Sequence, residues 1–334
     1  MKKYQFAVVG ATGLVGGTIL QVLAEYDLPM SGLRLFASVR SAGREIEFQG
    51  KRYVVEDLSK SDFRGIDIAL FSAGANRSKE FAPKFVEAGA LVIDNSSAFR
   101  KDPKIPLVVP EVNSHVLTKG KREIIANPNC STIQLVVPLK PLHDHYGIDR
   151  LVVATYQSVS GSGQKGVHQL ELERQGKPVP EPFYPYQIDL NCIPWIGGYC
   201  ESGYSEEEEK VMNETRKILG DYSIKVSCTA VRIPVMICHS EAVNISLKKS
   251  FILAEVRDLL AHFPGVKVID DPKNNQYPIP LMAAGQDMSY VGRIRKDPSQ
   301  ENGLDMWVVG DNLRKGAASN AVQIAEMWIK KDNE

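Results

Sequence analysis

The chain has 334 residues, 43% of them apolar and 24% charged, and its 40 Lys and Arg balance 40 Asp and Glu. That length favours two domains over a single core, and the composition is ordinary for a globular enzyme. A zero net charge argues against a nucleic-acid or membrane-surface binder, which needs a basic excess, so functional cations should be local and aimed at small anions. The five cysteines, at 130, 192, 200, 228 and 238, are odd in number and lack C-x-x-C spacing. Neither a disulfide framework nor a zinc site is suggested, and no metal is expected. No apolar run reaches the length of a membrane span, and the first residues lack the apolar stretch and cleavage site of a signal peptide. A cytoplasmic protein is the expectation.

In chain order, Tyr4 to Val9 is a short β-rich run ending at Gly10, and Leu14, Val15, Ile19, Val22 and Leu23 then follow a helical period. Leu33 to Ala37 reads as a second strand, and Ile46–Phe48 with Tyr53–Val55, split by Gly50, as a small hairpin. Ile68–Phe71 and Leu91–Ile93 are buried-strand candidates around a helix from about Lys79 to Ala88. This alternation predicts a Rossmann-type doubly wound α/β domain over 1–128. Ser131 to His145 is predicted helical, with Pro138 and Pro141 expected to kink or shorten it. Leu151–Val159 reads as a long strand, and Ser205 with Glu208 has capping-box spacing for a helix to about Leu219. Strands at 225–233, 241–247, 266–269, 290–294 and 305–309 around one helix, 252–262, predict an α+β domain with a mixed sheet over 129–314. The segment 271–287 reads as an irregular loop. A last helix, Ala317 to Ile329, is expected to pack back on the first domain as its 315–330 segment.

Gly10, Thr12, Gly13, Leu14, Val15 and Gly16 belong to a G-x-x-G-x-x-G turn where the first strand becomes a helix. Glycines there allow a tight turn and let a pyrophosphate approach the backbone at a helix N-terminus. An NAD site usually carries an acid at the end of the second strand. Here the chain reads Ser38-Val39-Arg40-Ser41, and an arginine between serines suits the 2′-phosphate of NADP. Ser72, Ala73 and Gly74 follow the next strand and would lie at the same crevice.

Asn127-Pro128-Asn129-Cys130-Ser131-Thr132 stands just before an apolar helical run. A thiol at a helix start feels the positive end of the dipole, which favours thiolate, although an isolated cysteine is more often a buried apolar residue. With Gly10–Gly16, that segment joins Asn95-Ser96-Ser97-Ala98-Phe99-Arg100, Ser158-Val159-Ser160-Gly161-Ser162-Gly163, Arg232-Ile233-Pro234-Val235 and Cys238-His239-Ser240. Together and in this order, from residue 4 to about 325, they resemble the aspartate-β-semialdehyde dehydrogenase family.

The resemblance implies a phosphorylating aldehyde dehydrogenase that uses NADP(H) and interconverts β-aspartyl phosphate and aspartate β-semialdehyde, in lysine, threonine, methionine and diaminopimelate biosynthesis. It implies Cys130 as the nucleophile that carries the acyl group, His239 as general acid/base and Gln157 as an orienting residue. Arg232 would grip the substrate carboxylate, Glu207 would face the amino group, and Arg100 and Lys210 would bind phosphoryl or phosphate. Ser160, Gly161, Gly163 and Asn312 would lie near the nicotinamide. The partners implied are a small-molecule substrate and phosphate, with a second copy of the chain in a homodimer or a tetramer. In the run Glu206–Glu209, Glu206 and Glu208 compete with Glu207. N-acetyl-γ-glutamyl-phosphate reductase shares the architecture but not the motifs around the cysteine and arginine. A silent dinucleotide-binding paralogue would have no need of both Cys130 and His239.

Overall fold

The computed structural model describes residues 2–333 and divides into two units, Met1–Pro128 with Ala317–Glu334, and Asn129–Gly316. In the first, β1 (Tyr4–Val9) runs into α1 (Leu14–Glu25), then β2 (Met30–Ala37), β3 (Glu45–Phe48), β4 (Lys51–Asp57) and β5 (Ile68–Phe71). α2 (Ala75–Glu87), β6 (Leu91–Asp94), α3 (Pro110–Asn113) and β7 (Ile124–Ala126) complete the run. The strands order as β3-β4-β2-β1-β5-β6-β7, parallel throughout except for the β3–β4 hairpin. The parallel strands are apolar on both faces because both are covered: Phe6 and Val8 pack on one side, Ala7 and Val9 on the other. β1 lies between β2 and β5, so the chain order reverses there and a crevice opens beyond the carboxyl ends of β1 and β5.

The second unit opens with α4 (Cys130–Tyr146), followed by β8 (Ile148–Gln157), α5 (Gly163–Arg174), α6 (Glu206–Leu219), β9 (Lys225–Arg232), β10 (His239–Leu247) and α7 (Leu253–Ala261). β11 (Val266–Val268), α8 (Pro280–Ala283), β12 (Ser289–Asp297) and β13 (Gly303–Gly310) complete its mixed sheet, ordered β11-β12-β13-β10-β8-β9. β8 and β9 are parallel, with Gln157 paired to Arg232 at their last residues. β10 runs antiparallel to both neighbours and starts with His239, opposite Gly310 at the end of β13. Four strand ends therefore deliver Gln157, Arg232, His239 and the residues after Gly310 to one edge of the sheet. Burial alternates along β8 and β10: Val153, Thr155, Val243 and Ile245 are covered, whereas Ala154, Tyr156, Ala242 and Asn244 on the other face are part-exposed.

Several local expectations are corrected. Pro138 and Pro141 do not shorten α4, which runs 17 residues. Each proline removes one helical hydrogen bond, but Ile133, Leu135, Val136, Val137 and Leu139 are completely buried, and that packing outweighs the loss. β8 begins earlier, at Ile148, and stops at Gln157, after which Val159–Ser162 forms a 3-10 turn. α2 starts at Ala75 rather than Lys79. α5 has no counterpart among the predicted elements: it is mostly polar and buries only Gly166, Gln169 and Leu170, so no apolar stripe marks it. The 271–287 stretch holds two proline-led helical turns, Pro272–Asn274 and α8. A π-turn, Arg314–Ala318, precedes the last helix, α9 (Ser319–Asn333). α9 belongs to the first unit, where Ala321, Val322, Ile324, Ala325 and Trp328 join the core of Tyr4, Phe6 and Val8.

Candidate active site

In the first unit, Gly10 leaves β1 at φ +88°, and a Cβ there would lie 2.3 Å from the Ser72 carbonyl oxygen. A Cβ on Gly16 would lie 2.1 Å from the Gly10 oxygen. The two glycines thus let three backbone segments meet, β1's end, α1 and the turn after β5. Gly13 is the N-cap of α1, with no side-chain cap and no acidic residue in the first turn. Thr12, Leu14 and Val15 lie on that turn, and Gly74, at φ +83°, starts α2 in the same uncapped way beside Ser72 and Ala73. Two helix N-termini with unmatched N–H groups at the carboxyl ends of β1 and β5 suit a pyrophosphate. Beyond β2, Ser38 accepts the backbone N–H of Ser41, and Arg40 is exposed in the turn between them. No carboxylate stands at the end of β2, at Ala37.

In the second unit Cys130 is the first residue of α4. Asn129 caps the helix, its Oδ1 accepting the N–H groups of Ser131 at 3.0 Å and Thr132 at 3.3 Å. Cys130 Sγ lies 3.3 Å from His239 Nε2. The other ring nitrogen, Nδ1, accepts the backbone N–H of Ser158 at 3.0 Å, which leaves the proton of the neutral ring on Nε2, facing the sulfur. His239 is fully buried, and burial, with Arg232 nearby, pushes its pKa down to about 3. Its imidazole is therefore neutral across the physiological range.

Arg232 is 4% exposed; its Nη1 donates to Ser158 O at 2.6 Å, and its Nε has no hydrogen-bond partner. A buried guanidinium donor with nothing to bind fits a carboxylate ligand. A Cβ on Gly161 would meet Arg232 Nη1 at 2.8 Å and the His239 ring at 3.1 Å, so glycine preserves the space beside both. Among the four glutamates, position separates the roles. Glu207 accepts Asn129 Nδ2 at 2.8 Å, Gln157 Nε2 at 3.3 Å and Lys210 Nζ at 3.3 Å. Glu208 closes the capping box with Ser205 and accepts Ala230 N, while Glu206 accepts Gly198 N. Burial opposes ionisation of Glu207, but Lys210, Asn129, Arg232 and Gln157 outweigh it and hold the carboxyl below its usual range. Asn312 Oδ1 accepts from Ser158 Oγ, Ser160 Oγ and Cys238 N, tying the 3-10 turn to the start of β10. Gly163, at φ +71°, ends that turn and begins α5.

Arg100 belongs to the first unit, where it is buried, with Nε on Asn127 O at 2.9 Å and Nη2 on Asn95 O at 2.7 Å. Cys238 and His239 adjoin in sequence but differ in setting. The strand starts at His239, and Cys238 precedes it in left-handed conformation, φ +77°, with its thiol packed against Ala283 and Val309. Burial pushes that thiol far up, away from thiolate.

Residues 5–120 match the family description "Semialdehyde dehydrogenase, NAD binding domain", and residues 139–315 match "Semialdehyde dehydrogenase, dimerisation domain". An aspartate-semialdehyde dehydrogenase of Aquifex aeolicus is 54% identical over 98% of both chains, and one of Bacillus subtilis is 46% identical over 98% of this chain and 97% of its own. The chain belongs to the aspartate-semialdehyde dehydrogenase family. Its fold superposes with TM-score 0.94 on aspartate semialdehyde dehydrogenase II of Vibrio cholerae complexed with ASA, at 44% identity and 99% coverage of both chains. A Candida albicans aspartate semialdehyde dehydrogenase with NADP aligns at TM-score 0.79 and 26% identity, with 99% of both chains covered.

As a member of the aspartate-semialdehyde dehydrogenase family the chain is an oxidoreductase of amino-acid biosynthesis. Four polar residues beside the cysteine and histidine were given no role by the sequence reading: Asn129 and Ser158, which it named only within motifs, and Gln134 and Glu214, which it did not name. Asn129 carried a signal, since Asn is a preferred N-cap and the helix after it was legible. Ser158 acts on His239 through its backbone N–H, which no side-chain motif encodes. Gln134 Nε2 donates to His239 O at 3.1 Å from one turn inside α4. Glu214 accepts Asn129 N at 2.6 Å, across 85 residues of sequence.

Proposed function

We propose that the chain is an NADP-dependent, phosphorylating aspartate-semialdehyde dehydrogenase working through a Cys130 thioester. The observation that carries this reading is Cys130 Sγ at a capped helix start, 3.3 Å from a buried His239 and on the same unit as a buried Arg232 with an unpartnered donor. In the biosynthetic direction, Cys130 thiolate attacks the acyl carbon of β-aspartyl phosphate. The C–S bond forms, the C–O bond to phosphate breaks, and Lys210 meets the departing dianion, a role that the family resemblance also gives to Arg100. Arg232 clamps the α-carboxylate bidentately, Glu207 meets the α-ammonium, and Gln157 orients the acyl group. The nicotinamide, when bound, supplies the hydride that reduces the thioester. His239 manages the proton at Nε2: it donates toward the oxygen of the tetrahedral adduct, and on collapse it stabilises the expelled Cys130 thiolate.

The first unit would hold the cofactor. Gly10 to Gly16 and Ser72 to Gly74 would take the pyrophosphate on main-chain N–H groups, and Ser38, Arg40 and Ser41 the 2′-phosphate; the Candida relative solved with NADP supports the choice. Ser160, Gly161, Gly163 and Asn312 would flank the nicotinamide. The part-exposed face of the second sheet, with Tyr156 and Trp307 rings 5.5 Å apart, supports a homodimer through the unit that matches a dimerisation domain. A cytoplasmic role in the pathways to lysine, threonine and methionine, as the family resemblance implies, completes the reading. The test incubates the protein with NADP, phosphate and aspartate semialdehyde and follows NADPH absorbance. Turnover that needs all three and loads an acyl group on Cys130, seen by mass spectrometry, is the expected result. Turnover with only N-acetyl-glutamate semialdehyde, or none, would overturn the reading.

A further inference from the structure

α6 presents Glu207, Lys210 and Glu214 at spacings of three and four, so the three share one face, and that face meets the start of α4. There each polar group of Asn129 is committed. Its Oδ1 caps the helix, its carbonyl accepts Ile133 N at 2.9 Å, its Nδ2 donates to Glu207 and its N–H donates to Glu214 Oε2 at 2.6 Å. The residue that immediately precedes the nucleophile is therefore gripped from α6 at both ends. Glu214 is 4% exposed, and a buried carboxylate accepting a backbone N–H at that distance makes a charge-assisted bond. It touches Asn129 rather than the reacting atoms, and no sequence motif above includes it.

We infer that Glu214 is a positioning residue for the reaction: by fixing the Asn129 peptide it sets the place of the Cys130 sulfur against His239, and its charge tempers how readily that sulfur ionises. The inference rests on Cys130 being the nucleophile. Two effects compete at the helix start. The anchored cap and the helix dipole favour thiolate, while a buried carboxylate one residue away opposes a second negative charge. Among the described residues, the other charged or titratable groups around this point include Glu207 and Lys210 on α6, Arg232 at the end of β9, His239 on β10, and the buried Asp311 and Lys315 after β13, where a Cβ on Gly316 would lie 3.0 Å from the Cys130 Cβ. Arg232 and Lys210 offset the carboxylates, so Glu214 sharpens placement without forbidding ionisation.

Glu214→Gln keeps the shape and the acceptor oxygen but removes the charge; Glu214→Ala removes both. The Ala variant should lose about 10- to 100-fold in kcat with KM little changed, the usual scale for residues that orient a catalytic group. The Gln variant should recover most of that loss. Its Cys130 alkylation by iodoacetamide, followed on the Cys130 peptide by mass spectrometry, should reach half-maximal rate about 0.5–1 pH unit lower than in the unaltered protein. Only Cys130 alkylation that bound substrate protects against is counted as an alkylatable site, which leaves out chains that do not fold, since their Cys130 reacts with or without substrate. An Ala variant with unchanged kcat per alkylatable site, or a Gln variant with an unmoved midpoint, would overturn the inference. The midpoint is read without substrate, so it stays informative even if Cys130→Ser shows that the nucleophile lies elsewhere.

Discussion

The two units build their sites from different materials. In the first, the proposed anion cradle is main chain: uncapped helix starts and close approaches through Gly10 and Gly16, with the exposed Arg40 proposed beside it. In the second, buried side chains from five elements are held in two neighbouring clusters: Glu207 accepts from Asn129 and Gln157, and the Ser158 main chain binds Arg232 and His239. A backbone site tolerates changes in side chains and answers to glycine, whereas a side-chain network answers to single atoms.

The sharpest way to break this contrast is at the proposed nucleophile. Cys130→Ser should reduce turnover at least about a thousandfold, because a hydroxyl is scarcely ionised at neutral pH. Cys192, Cys200, Cys228 and Cys238, changed singly to Ser, should stay within about tenfold. An acyl group trapped on Cys238 instead would remove Cys130 from the mechanism.

Next comes Arg232→Lys. The fold should persist, but kcat/KM should fall about 100-fold, since an ammonium cannot reproduce the bidentate grip and the bond to Ser158 O together. Near-normal affinity for aspartate semialdehyde would place the carboxylate elsewhere. In the first unit, Arg40→Ala should weaken NADP about 10- to 100-fold and NAD hardly at all. Equal weakening of both, measured by fluorescence titration, would show that the main-chain cradle alone does the binding.

The smallest effect on turnover is expected at Glu241, a fully buried carboxyl on the covered face of β10 beside Gln134 of α4. Burial raises its pKa well above the usual value. The folded chain therefore keeps a proton that the unfolded chain releases above about pH 4.5. That contribution to stability is complete below the unfolded pKa and is lost as pH rises toward the folded one, at up to about 1.4 kcal/mol per pH unit. Glu241→Gln should abolish this slope in urea unfolding between pH 5 and 8. An identical slope in both proteins would mean that Glu241 is ionised in the fold.

The same contrast explains what could be read in advance. A glycine turn after a strand advertises its backbone geometry locally, so the first unit's crevice was visible in seven consecutive residues. The helix of Ser205 was visible through its capping box, and its Glu208 has just that role. The choice of Glu207 over Glu206 and Glu208 was not visible, because it depends on which face of α6 meets Asn129. Gln157 and Arg232 are 75 positions apart and become neighbours only through the parallel β8–β9 register. α5 left no trace because a surface helix held by Gln169 and Leu170 needs no apolar stripe. The prolines of α4 misled for the opposite reason: local propensity was overruled by burial.

The first unit is assembled from two stretches of chain, 1–128 and 317–334, and its core includes Trp328 from the second. On the ribosome this becomes a matter of timing. At about 5–20 residues per second, roughly 10–40 s pass between synthesis of β7 and synthesis of α9. Through that interval Ile19, Val22 and Leu23 lack the neighbours that finally cover them. The nascent sheet is then a natural client for chaperones, and a chain released after residue 316 should bind an apolar dye that the full chain does not.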